Sequence, residues 1–84
     1  MARVLLSPKA QRQMSRLSKT IRARAYKVVE RLQQWPEVSG AKPLSGRLAG
    51  RYRVRTGDYR LQFRVQGEDV VIERIGHRAG FYEE

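Results

Sequence analysis

The chain has no cysteine and a single histidine, His77. Disulfides and thiolate metal sites are therefore excluded, and one imidazole cannot build a zinc centre. The fold has to stand on packing alone. No apolar run approaches the roughly 20 residues a membrane-spanning helix needs. The opening Met1-Ala-Arg-Val-Leu-Leu-Ser-Pro8 is too short in apolar residues to be a secretion signal. A cytoplasmic chain is the expectation. Acids are scarce as well, with eight Asp and Glu against eighteen Lys and Arg. A surface that needed only solubility would mix the two signs.

What is present is arginine. The net charge is +10, and fourteen of the eighteen cations are Arg. The guanidinium is a planar fork that matches two phosphate oxygens, which a lysine ammonium does not. Arg47, Arg51, Arg53, Arg55, Arg60 and Arg64 fall in one stretch whose sole acid is Asp58. This density points to a polyanionic partner. With 84 residues, 40% of them apolar, the chain fits one domain spanning 1–84 with a modest core.

Hydrophobic spacing divides the chain. Arg3–Leu6 is a short apolar run and reads as a strand. Ser7-Pro8 reads as a helix start, Ser supplying an N-cap oxygen and Pro occupying the first turn. Ala10, Met14 and Leu17 then share a face, and Ser18 interrupts. A second helix starting near Lys19 or Thr20 carries Ile21, Ala25, Val28, Val29 and Leu32 on one face and should end at Trp35-Pro36. Residues 37–50 connect, with Leu44 and Leu48 as anchors.

Beyond Gly50 the period drops to two. Tyr52, Val54 and Thr56 alternate with Arg51, Arg53 and Arg55. After a Gly57-Asp58 turn, Tyr59, Leu61, Phe63 and Val65 alternate with Arg60, Gln62 and Arg64. A Gly67-Glu68-Asp69 turn leads into a last strand ending near Ile75. The expected class is α+β, in the order β-α-α-β-β-β. An antiparallel sheet should carry a helical hairpin packed on its apolar face. The arginines then fall on the other face, and a charge count becomes a geometry.

That face suggests a chemistry that needs no cofactor. Cleaving RNA requires a base for the 2′-hydroxyl, donors for the charge building on phosphate oxygens, and an acid for the leaving oxygen. The expected face has no carboxylate pair and no metal-ligand cluster, which argues against metal-assisted hydrolysis. Arg60, mid-strand on the polar face, is the best placed phosphate clamp. Arg53 and Arg55 stand beside it, and Arg51, Arg64 and Arg47 are expected at the RNA-binding rim. His77 is the one side chain here of a type that exchanges protons near neutrality, and in neutral form it can act as a base. Arg78 suits a second phosphate donor, and Tyr82 a stacking or proton-positioning role. Phe81 reads as core.

The stretch Leu44-Ser-Gly-Arg-Leu-Ala-Gly-Arg-Tyr-Arg-Val-Arg-Thr-Gly-Asp-Tyr-Arg-Leu-Gln-Phe63, with Ile75-Gly-His-Arg78 and Tyr82, resembles the RelE/ParE superfamily of bacterial toxins. The resemblance covers the whole chain and implies a RelE-like fold. Its RelE-like branch comprises mRNA interferases, ribosome-dependent endoribonucleases. These carry basic residues on the strand before the turn, an Arg on the next strand, an Arg after the last strand and a C-terminal Tyr. Here these positions are Arg53 and Arg55, Arg60, Arg78 and Tyr82. Many relatives have Lys where this chain has Arg53 and Arg55. Arginine stays protonated and is a poor base. The resemblance implies that His77 takes the base role, as a His does in some relatives.

The resemblance implies further partners: a cognate antitoxin protein that blocks the site, allowing a heterotetramer, and mRNA on the ribosome with its ribosomal RNA. The residues themselves call for no cofactor, no metal and no membrane. Two other functions stay open at this point. One is a ParE-like toxin that poisons DNA gyrase, and the other is a non-catalytic RNA- or ribosome-binding module.

Overall fold

The structure is a computed structural model and describes residues 1–81. Strand β1 covers Arg3–Leu6, helix α1 Pro8–Arg16 and helix α2 Lys19–Leu32. A two-residue strand β2, Lys42–Pro43, and a short 3-10 turn, Gly46–Leu48, follow. Strands β3 (Arg51–Thr56), β4 (Tyr59–Gln66) and β5 (Asp69–His77) complete the order.

Both helix starts are capped by serine. The Ser7 hydroxyl accepts from the Ala10 amide at 3.1 Å, and the Ser18 hydroxyl from the Ile21 amide at 3.3 Å. Such caps stabilise a helix by about 1 kcal/mol each. Helix α2 stops at Leu32, three residues before Trp35. The chain leaves it through turns in which the Gln34 and Trp35 amides bond back to Arg31 and Leu32.

The meander of β3, β4 and β5 is antiparallel, as its alternation predicts. Its two tight turns each place a glycine first, Gly57 at φ 59° and Gly67 at φ 61°. Asp58 and Glu68 keep negative φ, the pattern of a type II′ turn, which suits the twist of a hairpin. Two features add to the expected antiparallel sheet. The first strand, β1, runs parallel to β5, so the sheet is mixed, and β2 adds a fifth strand beside β3. The sheet order is β1-β5-β4-β3-β2. Helices separate β1 from the meander, so the β1–β5 pairing depends on tertiary packing. A bidentate Arg3–Asp69 ion pair marks the start of this pairing, and its hydrogen bonds hold the Asp69 carboxyl below the usual range.

The helices cover one face. Ala10 and Met14 from α1, and Ala25, Val28 and Leu32 from α2, pack against Val54, Leu61, Phe63, Val70, Ile72 and Ile75. Burying a side chain the size of Leu or Phe stabilises by roughly 1.5–3 kcal/mol. Trp35 closes one end edge-on to Tyr52 and Phe63, with ring centroids 4.7 and 5.3 Å away.

Strand β5 carries a bulge. Gln62 pairs with Arg74 and Phe63 with Ile72, which leaves Glu73 as the extra residue. Ser7 holds the bulge from the other side. Its hydroxyl donates to the Glu73 carbonyl at 2.9 Å, and its amide donates to the Ile72 carbonyl at 2.9 Å.

Candidate phosphate-binding face

Strand register sets the open face in rows. Arg51 lies directly opposite Arg64, Arg53 opposite Gln62, and Arg55 opposite Arg60. The rows continue onto β5, where Gln62 pairs with Arg74 and Arg60 with Gly76. Like charges directly opposed across two strands destabilise a sheet unless something intervenes.

In the first row a carboxylate intervenes. The Arg51 Nε donates to Glu73 Oε1 at 2.8 Å, and the Arg64 Nε donates to Oε2 at 3.2 Å. The Gln62 amide, itself almost fully buried, also donates to Oε1 at 3.2 Å. Burial pushes the Glu73 carboxyl up, but the bonds from Arg51 and Gln62 and the charges of Arg51 and Arg64 outweigh it. Glu73 is held below the usual carboxylate range. Gln62 passes the network on, its oxygen accepting from Arg74 Nε at 3.2 Å. The Arg74 guanidinium lies 4.1 Å above the Phe81 ring.

The row at the turn differs. Among the described residues no carboxylate pairs with Arg55 or Arg60. The Arg60 Nη1 leans on two turn carbonyls, Gly57 at 3.4 Å and Tyr59 at 3.3 Å. Arg78 arrives at the same turn because its amide donates to the Asp58 carbonyl at 2.8 Å, extending the ladder past β5. Its guanidinium lies 3.7 Å from Asp58, both side chains about two-thirds exposed. Three arginines from β3, β4 and the segment after β5 are thus gathered around Gly57-Asp58. Exposed pairs such as Arg78–Asp58 contribute little and exchange easily for a better anion.

Other expected residues stand elsewhere. Arg53 occupies the middle row. Arg47 sits on the 3-10 turn, exposed and outside the rows. His77 pairs with Tyr59, one step along from the Arg60–Gly76 row and so on the opposite face of the pleat. Its ring meets Tyr59 edge-on at 5.3 Å. Its Nδ1 accepts from the Ala79 amide at 3.1 Å, so the neutral ring carries its proton on Nε2 and its lone pair is occupied. Tyr82 lies outside the described residues. Phe81 is buried, but against Gly76, where an added Cβ would meet the ring at 3.1 Å. It closes the end of the Arg55–Arg60 row instead of joining the main core. Among the described residues no group of three His, Asp or Glu side chains is placed to hold a metal.

Glu73 is the residue that sequence reasoning missed. The signal was there: inward positions Val70 and Ile72 are followed by Ile75, a step of three where a regular strand steps by two. The odd step marks the bulge, and the acid inside it turns toward the arginines.

The sequence and the fold have known relatives. The family described as the ParE toxin of type II toxin-antitoxin system, parDE, matches residues 4–82. Toxin RelG of Mycobacterium tuberculosis is 49% identical over 43 residues, and the match spans 49% of each chain, about half the length of that relative. Among solved structures, a chain of the RelBE2 toxin–antitoxin complex of Mycobacterium tuberculosis superposes at TM-score 0.80 with 30% identity, covering 92% of this chain and 98% of that one. A chain of the Methanococcus jannaschii RelB–RelE complex gives TM-score 0.78 at 23% identity, covering 94% and 95%. The isolated E. coli RelE toxin gives 0.76 at 18%, covering 92% and 84%. The last two likenesses concern the fold alone.

Proposed function

Because this chain belongs to the ParE toxin family of type II toxin–antitoxin systems, within the RelE/ParE superfamily, we propose that it is the RNA-cutting kind of toxin. In this reading it is an endoribonuclease that acts on mRNA at the ribosome, inhibits translation and is silenced by a cognate antitoxin. The carrying observation is the turn row. Arg55, Arg60 and Arg78 gather at one place, and the two that face each other across strands have no described carboxylate between them. A like-charged pair held open in this way suits an anion that arrives from outside.

The chemistry follows from the side chains. The scissile phosphate sits between Arg60 and Arg78, with Arg55 alongside and Arg53 on the adjoining row. The 2′-hydroxyl oxygen attacks phosphorus, a cyclic phosphate forms, and the 5′-oxygen leaves with a proton. Permanent cations stabilise the charge on the phosphate oxygens without a metal or cofactor. They do not take protons. With its Nδ1 occupied, His77 offers an Nε2–H donor on the Tyr59 side of the sheet. The proton transfers fall to Tyr82 or to groups of the ribosome. Arg47, Arg51 and Arg64 serve as flanking contacts to the RNA backbone. The cytoplasm, where ribosomes are, is the matching compartment. No described helix is long and apolar enough to cross a membrane.

Primer extension on an mRNA after induced expression tests this reading, with Arg60→Ala as control. Breaks within the coding sequence for the wild type, absent for Arg60→Ala, are expected. A second reading draws on the matched family itself, whose ParE-like members act on DNA gyrase. Uncut mRNA together with filamentation and a DNA-damage response would establish that reading in place of the first.

A further inference from the structure

The ladder between β2 and β3 ends at the Lys42–Arg53 pair. Among the described residues no strand flanks β3 beyond it on that side, so the edge at Val54 and Arg55 opens into a recess of about 250 Å³. Arg31, Gly40, Lys42, Arg53, Val54 and Arg55 line it. The cations come from three elements: α2, β2 and β3. Arg31 belongs to the helix layer, yet its Nη2 donates to the Ser39 carbonyl at 2.9 Å, which tethers it beside Gly40 at the sheet edge. Among the described residues no acid lines the recess. Arg53 and Arg55 lie two residues apart on one strand, roughly 7 Å, and present their forks toward the same side. The recess is therefore continuous with the turn row through Arg55.

We infer that this recess binds a second phosphodiester of the same RNA strand, next to the phosphate gripped at the turn, with Arg31 and Lys42 as its dedicated contacts. The inference rests on the RNA-binding reading of the face. A concave site lined by one sign of charge concentrates field and selects the densest anion. Phosphate oxygens also match the arginine forks. An extended acidic peptide is the weaker occupant. A strand added to a sheet edge takes its specificity from pockets for alternate side chains. Here Val54, the one apolar side chain among the described lining residues, is already buried in the core.

The test uses a short single-stranded 2′-O-methyl oligoribonucleotide, which presents the phosphates but no hydroxyl to attack. Its affinity is measured against salt for the wild type, Lys42→Ala, Arg31→Ala/Lys42→Ala and a control, Lys19→Ala, on the far end of α2. The double variant should bind roughly tenfold more weakly. Its slope of log affinity against log salt should be shallower by about 0.7, the value of one phosphate on a single strand. Lys42 is exposed on a two-residue strand, so Lys42→Ala preserves the fold and must already show part of the effect. Lys19→Ala should track the wild type.

Equal slopes for the wild type and the double variant overturn the inference, as does a wild type that does not bind the probe. So does a loss confined to binding of an acidic peptide, which would make the recess a protein site. Cleavage on translating ribosomes is scored separately. Binding with the expected slopes but no cleavage overturns the nuclease reading and leaves the recess standing. Cleavage with equal slopes does the reverse.

Discussion

Two pairs of opposed arginines sit on the same two strands, and they are solved differently. Arg51 and Arg64 share Glu73, which bonds to both and to the buried Gln62. Arg55 and Arg60, four residues along on each strand, face each other with no described carboxylate between them. The first pair is neutralised from within by one carboxylate. The second has no such internal partner among the described residues. One basic face thus holds a neutralised pair and an open pair side by side, and a charge count cannot separate them.

The largest expected effect breaks the open pair. Arg60→Ala, and separately Arg78→Ala, should lower mRNA cleavage by about 10²–10³, the usual cost of losing one donor to a developing oxyanion. Thermal midpoints should stay near wild type, since neither guanidinium is buried. Unchanged cleavage in both variants would remove the turn row from the chemistry.

Next comes the closed pair. Glu73→Ala leaves two opposed arginines and an almost buried amide without their acceptor. We expect a loss of about 1–3 kcal/mol of stability in denaturant unfolding. A wild-type midpoint would mean that the network contributes nothing.

A smaller effect is expected when the closed pair is removed from the other side. Arg51→Ala and Arg64→Ala should each reduce cleavage by less than about tenfold, the scale of 1.4 kcal/mol. Equal losses at Arg51 and Arg60 would erase the distinction between the two pairs.

The smallest effect is a pH dependence. The folded-state pKa of Glu73 is depressed, so its contribution is present above the unfolded value of about 4.3 and is lost as pH falls through the lower folded value. The stability difference between wild type and Glu73→Gln should therefore be constant near neutrality and shrink on acidification below about pH 4. Melting both proteins across that range checks it.

Much of this was legible in the residues. The serine caps, the two helical faces and the three-strand alternation are local patterns, each set by neighbours within a turn or a pleat. The arginine face follows from the alternation. The mixed sheet was not legible, because β1 and β5 pair across most of the length of the chain, where no local pattern reaches. The role of β2 was hidden too, since two residues containing a proline carry no periodicity. His77 reads along the chain as a candidate base beside Arg78, and only the register shows that it lies on the Tyr59 side. Phe81 reads as core, and the structure seats it on Gly76.

Sequence alone determined that the chain would form a helical hairpin against a sheet with arginines on one side, because periodicity and caps act over a few residues. Only the tertiary structure decided which arginines are already satisfied. That depends on a bulge held by Ser7 from the other end of the chain, and on a register that sets Glu73 beside one pair and leaves the other open.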